Sequence, residues 1–97
     1  MIQNFGNKAT EDLFHGISSR ETRKFPSNLI KVVVRKLDML NAADQLDDLR
    51  VPPGNRLEAL KGDLKGFYSI RVNDQWRIIF QWKNGNALAV EIVDYHN

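Results

Sequence analysis

Arg71 and Arg77 lie six residues apart, a spacing that can bring two guanidinium groups side by side. They lie in neighbouring segments of alternating polar and apolar residues, the pattern of β-strands that bury one face. The three residues between the segments, Asn73-Asp74-Gln75, form a connection of the length that places core residues opposite core residues. In that register Arg71 lies directly opposite Arg77, on the face of the hairpin that is not the core.

The opposed arginines predict either an anion site or two charges that the chain itself accommodates. Like charges directly opposite each other in a sheet cost roughly 0.2–1 kcal/mol. A bound phosphate group would offset this repulsion, because planar guanidinium donors match phosphate oxygens. The alternative is that both side chains extend into water or pair with a carboxylate such as Glu91.

A tyrosine, a histidine and a lysine extend this arginine face. Alternation along the last predicted strand sends Tyr95 to it, and His96 follows in the sequence. Lys61 joins them if residues 62–66 form the connection, which places Lys61 opposite Phe67. Fixed cations beside proton carriers suit RNA strand cleavage, in which a 2′-hydroxyl attacks the neighbouring phosphate. With two histidines, no cysteine and no clustered carboxylates, we expect neither a metal site nor a cofactor.

The strands that position these residues are predicted at 67–72, 76–83 and 87–95, with a fourth at 56–61. A three-residue loop, Asn84-Gly85-Asn86, would place Trp82 opposite Leu88. Alternation assigns these strand residues to the core: Tyr68, Ile70, Val72, Trp76, Ile78, Phe80, Trp82, Leu88, Val90 and Ile92.

Helices are predicted in the first half of the chain. A short strand at 2–5 precedes a helix at 8–15 that ends at Gly16. The main helix begins near Pro26, and residues 44–50 add a further turn or two. The apolar face of the main helix consists of Leu29, Ile30, Val33, Val34, Leu37 and Leu40. Its opposite face carries Lys31 and Arg35, which form either an ordinary solvated surface or a secondary contact with a nucleic-acid backbone.

Length and charge limit the class of protein. A chain of 97 residues forms one domain, here residues 1–97. The net charge is only +2, but residues 50–83 contain seven basic and three acidic residues, which favours a polyanionic partner. The absence of cysteine fits a reducing compartment, and no apolar run approaches the length of a membrane span. We therefore expect a cytoplasmic protein without a membrane partner.

Three ordered motifs closely resemble the HigB toxins of the RelE superfamily, in particular the GraT-like subgroup. They are NRLEALKG at 55–62, SIRVNDQWRI at 69–78 and VEIVDYH at 90–96. The resemblance implies a small α+β domain of the RelE-like, microbial-ribonuclease-like type. Its twisted, mostly antiparallel sheet would pack N-terminal helices on one face and form a positively charged cleft on the other.

The same resemblance implies a toxin that cleaves mRNA in the ribosomal A site by metal-independent 2′-hydroxyl attack, and so inhibits translation and growth. The implied partners are a HigA-type helix-turn-helix antitoxin, the ribosome with its mRNA, and operator DNA bound through the toxin-antitoxin complex. Two other interpretations remain open. One is a catalytically weak or inactive corepressor that holds the antitoxin on operator DNA, and the other is a general RNA-binding module.

Residue roles also follow from the resemblance. Arg77 matches the arginine that stabilises the scissile phosphate, and Lys61 matches a lysine that assists it. Asp94, Tyr95 and His96 match an Asp-Tyr-His ending associated with base positioning and proton transfer. The predicted RNA-binding residues are Arg56, Arg71 and Lys65, together with Lys31 and Arg35 from the basic face of the main helix.

One residue departs from the pattern of many HigB sequences. Glu58 stands where they have a histidine proposed as a proton carrier. The base is then Glu58 with a raised pKa, Tyr95 or His96 alone, or no strong base in a slow enzyme that relies on positioning by the ribosome. We favour positioning by the ribosome combined with Tyr95.

Overall fold

The computed structural model describes residues 1–95, and its strands form a four-stranded antiparallel sheet in chain order. The strands are β1 (Glu58–Ala59), β2 (Phe67–Arg71), β3 (Trp76–Lys83) and β4 (Asn86–Asp94). Two α-helices precede them, α1 (Lys8–Phe14) and α2 (Ser27–Ala42), and short 3-10 turns occupy Thr22–Lys24, Leu46–Arg50, Pro53–Asn55 and Gly62–Leu64. The predicted α+β class is confirmed. Within residues 1–95, no helix is both long and apolar enough to cross a membrane.

The helices begin and end close to the predicted residues. Asn7 caps α1 by accepting a hydrogen bond from the Thr10 backbone N–H at 2.9 Å, as expected of an N-cap asparagine. Beyond its end, Gly16 has a positive φ of 70°, which glycine adopts without steric cost. Pro26 lies directly before α2, and the predicted turns at 44–50 form the 3-10 helix Leu46–Arg50.

The core lies between α2 and one face of the sheet. Buried apolar residues of α2, such as Val33 and Leu37, form one cluster with Ile70, Ile78 and Phe80 of the strands. Three aromatic residues assigned to the core, Tyr68, Trp76 and Trp82, are only partly buried and pack at its margin. Residues 2–5 run parallel to β4 through the bridges Ile2–Ala87 and Phe5–Val90, in place of the predicted strand.

The β2–β3 hairpin has the predicted register. Arg71 lies opposite Arg77, and the Val72 backbone N–H donates to Trp76 O at 2.9 Å. The alternation of polar and apolar residues thus placed both arginines on one face of the hairpin.

The β3–β4 hairpin differs from the prediction near its turn. Its turn has two residues, Asn84 and Gly85, both with positive φ, the geometry favoured for tight hairpins. Trp82 therefore lies opposite Ala87, and the predictions that it faces Leu88 and that Leu88 is a core residue are wrong. Ala87 is fully buried instead.

A bulge restores the predicted register farther along β4. Ala89 has φ 52°, and the pairing shifts by one residue between Ile79 and Gln81. From Glu91, which pairs with Ile79, the register is the predicted one. The Ala89 backbone N–H, which the bulge turns away from the ladder, donates to Asn4 Oδ1 at 2.6 Å.

Strand β1 is shorter than predicted, and its register changes which residues share the arginine face. The Leu60 backbone N–H donates to Phe67 O at 2.9 Å, so Leu60 lies opposite Phe67 and the prediction for Lys61 is wrong. The connection has six residues, 61–66, rather than five. As a result Glu58 lies opposite Ser69, on the same face as Arg71 and Arg77.

A buried lysine on α2 provides a test of the fold by pH. Burial lowers the pKa of Lys36, and the positive charges of Arg35 and Arg71 lower it further. The unfolded chain then binds this proton more tightly than the folded chain. The contribution of Lys36 to stability therefore rises as the pH increases toward the ordinary lysine pKa of about 10.4.

We expect the free energy of unfolding to rise less steeply in Lys36→Met than in the wild type between about pH 8 and pH 10. Urea denaturation at a series of pH values measures this slope. Identical slopes in the two proteins would contradict the lowered pKa.

Candidate active site

Arg77 is held rigidly on the inner strand β3. It is only 8% exposed, and its Nε donates to Ser69 Oγ at 2.7 Å. Its Nη2 donates to the Arg56 carbonyl oxygen at 2.7 Å. Within residues 1–95, Nη1 makes no hydrogen bond. The guanidinium is therefore fixed in orientation while its outer donors remain able to bind an anion.

Two side chains flank the Arg77 guanidinium. Glu58 Oε1 lies 3.8 Å from Arg77 Nη2, and the centroid of the Tyr95 ring lies 5.6 Å from Arg77 Cζ, within cation–π range. Burial lowers the pKa of Arg77, and Glu58 opposes this effect. An arginine side chain stays protonated in proteins, so the group remains a cation. We call Arg56, Arg71 and Arg77 with Glu58, Ser69 and Tyr95 the arginine cluster.

The repulsion between the two opposed arginines is offset within the chain. Arg71 forms an ion pair with Asp74 of the hairpin loop, and Arg77 has Glu58 beside it. Glu91, the carboxylate named from the sequence, instead accepts a hydrogen bond from Asn7 Nδ2 at 3.1 Å, so that pairing was wrong. The opposed pair alone is therefore not evidence of a bound anion.

Tyr95 and Asp94, at the end of β4, make different contacts. The Tyr95 backbone N–H donates to Gln75 O at 2.6 Å, which keeps the chain alongside β3 and places the phenol ring against Arg77. Asp94 pairs with Trp76, and its carboxylate accepts a hydrogen bond from Gln75 Nε2 at 3.1 Å. Because successive side chains alternate along a strand, those of Asp94 and Tyr95 lie on opposite faces of the sheet. His96 lies outside the described residues.

The remaining predicted site residues are exposed, and the structure separates them into two groups. Arg56 belongs to the arginine cluster because its carbonyl oxygen binds Arg77. Lys61 and Lys65 lie in the 61–66 connection, and Lys31 and Arg35 lie on α2, the helix that covers the other face of the sheet. No hydrogen bond or ion pair among residues 1–95 joins these four to the arginine cluster.

Sequence reasoning missed two residues that shape this cluster. Ser69 lies two residues before Arg71, so its place on the arginine face was readable from the alternation, although its bond to Arg77 was not. Asp74 follows Arg71 by three residues within a tight hairpin, a spacing that brings the two side chains together. The carbonyl oxygen of Arg56 left no signal in the sequence.

Solved structures show the fold class to which this geometry belongs. The chain superimposes on a chain of the YoeB-YefM complex from Staphylococcus aureus with a TM-score of 0.61 and 14% identity, covering 100% of this chain and 99% of the other. For YafQ from E. coli the TM-score is 0.56 at 15% identity, covering 97% and 93% of the two chains. The fold is therefore that of the RelE-like toxins.

The family follows from the sequence comparisons. Residues 3–96 match the family of RelE-like toxins of type II toxin-antitoxin systems described as HigB. The chain is 47% identical to Toxin HigB-1 of Vibrio cholerae serotype O1 over 88 residues, which cover 91% of this chain and 90% of that protein. It is 33% identical to Endoribonuclease HigB of Proteus vulgaris over 97 residues, covering 99% and 100%. The chain belongs to the HigB-like toxin family, as the resemblance indicated.

Proposed function

We propose that this toxin is an endoribonuclease that cleaves mRNA in the ribosomal A site without a metal ion. The observation that carries the proposal is the fixed, buried guanidinium of Arg77, with Tyr95 and the other arginines of the cluster beside it. A cation that is already oriented in a partly desolvated site stabilises the negative charge of a transition state much more than a mobile cation in water does. The name of the Proteus vulgaris relative supports the same activity.

In the proposed reaction, the 2′-oxygen forms a bond to the adjacent phosphorus and the bond from phosphorus to the 5′-oxygen breaks. A proton leaves the 2′-hydroxyl, and the departing 5′-oxygen takes up a proton. Arg77 stabilises the negative charge of the phosphate in the transition state, and Tyr95 assists proton transfer. Arg56 and Arg71 bind the RNA backbone.

The outlying predicted residues have supporting roles in this proposal. Lys61 and Lys65 in the 61–66 connection contact RNA phosphates, and Lys61 assists Arg77. Asp94 orients the last strand through Gln75, and His96 carries a proton. Lys31 and Arg35 on α2 contact the nucleic-acid backbone at a distance from the cleavage site.

The proposed partners follow from the family and the reaction. They are a HigA-type helix-turn-helix antitoxin, the ribosome carrying mRNA, and operator DNA through the toxin-antitoxin complex. The proposed location is the cytoplasm, where translated mRNA lies. The ribosome would position the RNA, which compensates for the absence of a histidine at residue 58.

Mapping of mRNA 5′ ends tests the proposal. The wild type and Arg77→Lys are each expressed briefly without antitoxin. New 5′ ends in phase with codons, in the wild type only, would support a ribosome-dependent enzyme. New ends with no relation to codons would contradict the ribosome requirement. No new ends in either protein would favour the corepressor, an alternative that gains some support from the carboxylate of Glu58 beside Arg77.

Replacing Glu58 by glutamine is expected to lower the KM for RNA cleavage about fivefold and to change kcat by less than about threefold. The exposed Glu58 carboxylate competes with the RNA phosphate for Arg77 and also repels the phosphate. Near a surface this weakens the binding free energy by about 1 kcal/mol. Steady-state cleavage of ribosome-bound mRNA measures both constants. Glu11→Gln, an exposed charge change on α1, is the matched control. If kcat instead fell by a factor of about 100 or more, the base would be assigned to Glu58.

A further inference from the structure

A buried hydrogen-bonded pair, Lys36 and Asn55, lies next to the arginine cluster. Lys36 is 6% exposed and Asn55 is fully buried, and Lys36 Nζ donates to Asn55 Oδ1. The charged groups that act on Lys36 are Arg35 on its own helix and Arg71 on β2, both positive. Within residues 1–95 no carboxylate forms an ion pair with it. Buried lysines are almost always paired with an acid, so this exception calls for an explanation.

Asn55 is the centre of a closed turn. Its Nδ2 donates to the Leu49 carbonyl oxygen at 3.1 Å and to the Val51 carbonyl oxygen at 3.4 Å. Its backbone N–H donates to Pro52 O at 3.0 Å. Two hydrogen bonds tie this turn to α2, because Lys36 Nζ donates to Asn55 Oδ1 and Asn55 Nδ2 donates to Met39 Sδ at 3.5 Å. The segment between α2 and the sheet is thereby fixed to the helix by one side-chain amide.

The residue after the turn, Arg56, has a backbone conformation that directs its carbonyl oxygen to Arg77. Arg56 follows Asn55 and has φ 44° and ψ 54°, a left-handed conformation that residues other than glycine adopt where their surroundings hold them there. Its backbone N–H donates to Pro53 O at 3.1 Å. Its carbonyl oxygen accepts the 2.7 Å hydrogen bond from Arg77 Nη2. A shift of the turn would therefore move one of the atoms that orient Arg77.

We propose that Lys36 and Asn55 are positioning residues that hold the Arg56 carbonyl oxygen in place and thereby orient the Arg77 guanidinium. The proposal rests on the proposed function of Arg77 and adds to it the structural source of its orientation. Neither residue touches RNA in this proposal. In this proposal, a lysine serves at the buried position because its ammonium group reaches from α2 to the Asn55 amide oxygen.

A positioning role predicts a different effect from a loss of stability. A misplacement of about 1 Å at a catalytic group can lower a rate 10²-fold. We therefore expect Lys36→Met to lower kcat about 10- to 100-fold and to leave KM nearly unchanged, because exposed side chains bind the RNA backbone. Lys36→Arg, which keeps a donor for Asn55, should restore most of the activity. Val33→Ala, a buried change on the same helix with no bond to Asn55, is the control for stability.

The decisive measurement uses no RNA. Hydrogen exchange at the Arg77 Nε–H, followed by NMR, reports how often its bond to Ser69 opens. We expect exchange to be about tenfold faster in Lys36→Met and unchanged in Val33→Ala, under conditions where all the proteins are folded. If Lys36→Met does not fold, Asn55→Asp serves, because it keeps the acceptor for Lys36 and loses the donor to Leu49, Val51 and Met39.

The outcomes separate this proposal from the proposed function. Unchanged Arg77 exchange and unchanged kcat in the folded variants would overturn the positioning role while cleavage by the wild type stood. Equal losses in Val33→Ala and Lys36→Met would also overturn it, because stability alone would then explain them. Faster exchange in a protein that cleaves no RNA would support the positioning role and reject the enzymatic function.

Discussion

Arg77→Lys is expected to lower the rate of mRNA cleavage about 10²- to 10³-fold while the protein remains folded. Lysine keeps the positive charge but not the planar fork that bonds Ser69 and the Arg56 carbonyl oxygen at the same time. The charge would then no longer be fixed relative to the phosphate, and losing one preorganised donor typically costs this much in rate. Cleavage of ribosome-bound mRNA with saturating protein measures the effect.

The choice of lysine follows from the burial of Arg77. Alanine would leave the Arg56 carbonyl oxygen without its donor and open a cavity, which together cost about 1–3 kcal/mol or more in stability. A loss of activity in Arg77→Ala would thus mix two causes. Arg50→Lys is the matched control, since Arg50 is exposed and forms its ion pair with Asp47, outside the arginine cluster. Full activity in a folded Arg77→Lys protein would contradict the role of the arginine fork.

The local part of this site was predictable from the sequence. A three-residue loop between two alternating segments leaves one register that buries both apolar faces, so Arg71 had to lie opposite Arg77. The position of Tyr95 followed from the same alternation, because the bulge at Ala89 corrects the shift that the two-residue turn introduces. The turn itself was misjudged, since Asn84-Gly85 fits a two-residue turn as well as a three-residue loop.

The long-range part of the site was not predictable in the same way. The register of β1 depends on whether its connection to β2 has five or six residues, and no residue pattern distinguishes the two. That one-residue difference moves Lys61 out of register and brings Glu58 to Arg77. The left-handed conformation of Arg56 was equally hidden, because arginine has no preference for it and buried contacts of Asn55 hold it there.

These two differences change how the arginine face works. In the free protein, Glu58 and Asp74 already lie beside Arg77 and Arg71, so RNA that binds these two guanidinium groups competes with the carboxylates. Such competition favours a substrate presented at high local concentration, as on the ribosome, over free RNA in solution. The geometry is therefore consistent with an enzyme that relies on its RNA being positioned for it.

Tyr95→Phe is expected to lower kcat for cleavage about 10²- to 10⁴-fold, the usual contribution of a general acid or base. Phenylalanine keeps an aromatic ring under the Arg77 guanidinium, so the cation–π contact at 5.6 Å is retained and only the hydroxyl is lost. Single-turnover cleavage of ribosome-bound mRNA measures the chemical step directly. Tyr68→Phe, which removes the hydroxyl of a partly buried tyrosine on the core face, should leave kcat unchanged.

The comparison with Tyr95→Ala separates the two roles of this residue. If the hydroxyl transfers a proton, alanine and phenylalanine should be similarly inactive, because both lack it. If the ring acts by holding Arg77 or stacking on a base, phenylalanine should be active and alanine should not. Activity in Tyr95→Phe would reject proton transfer by Tyr95. The proton transfer would then fall to Glu58 or His96, and the Glu58→Gln variant would distinguish between them.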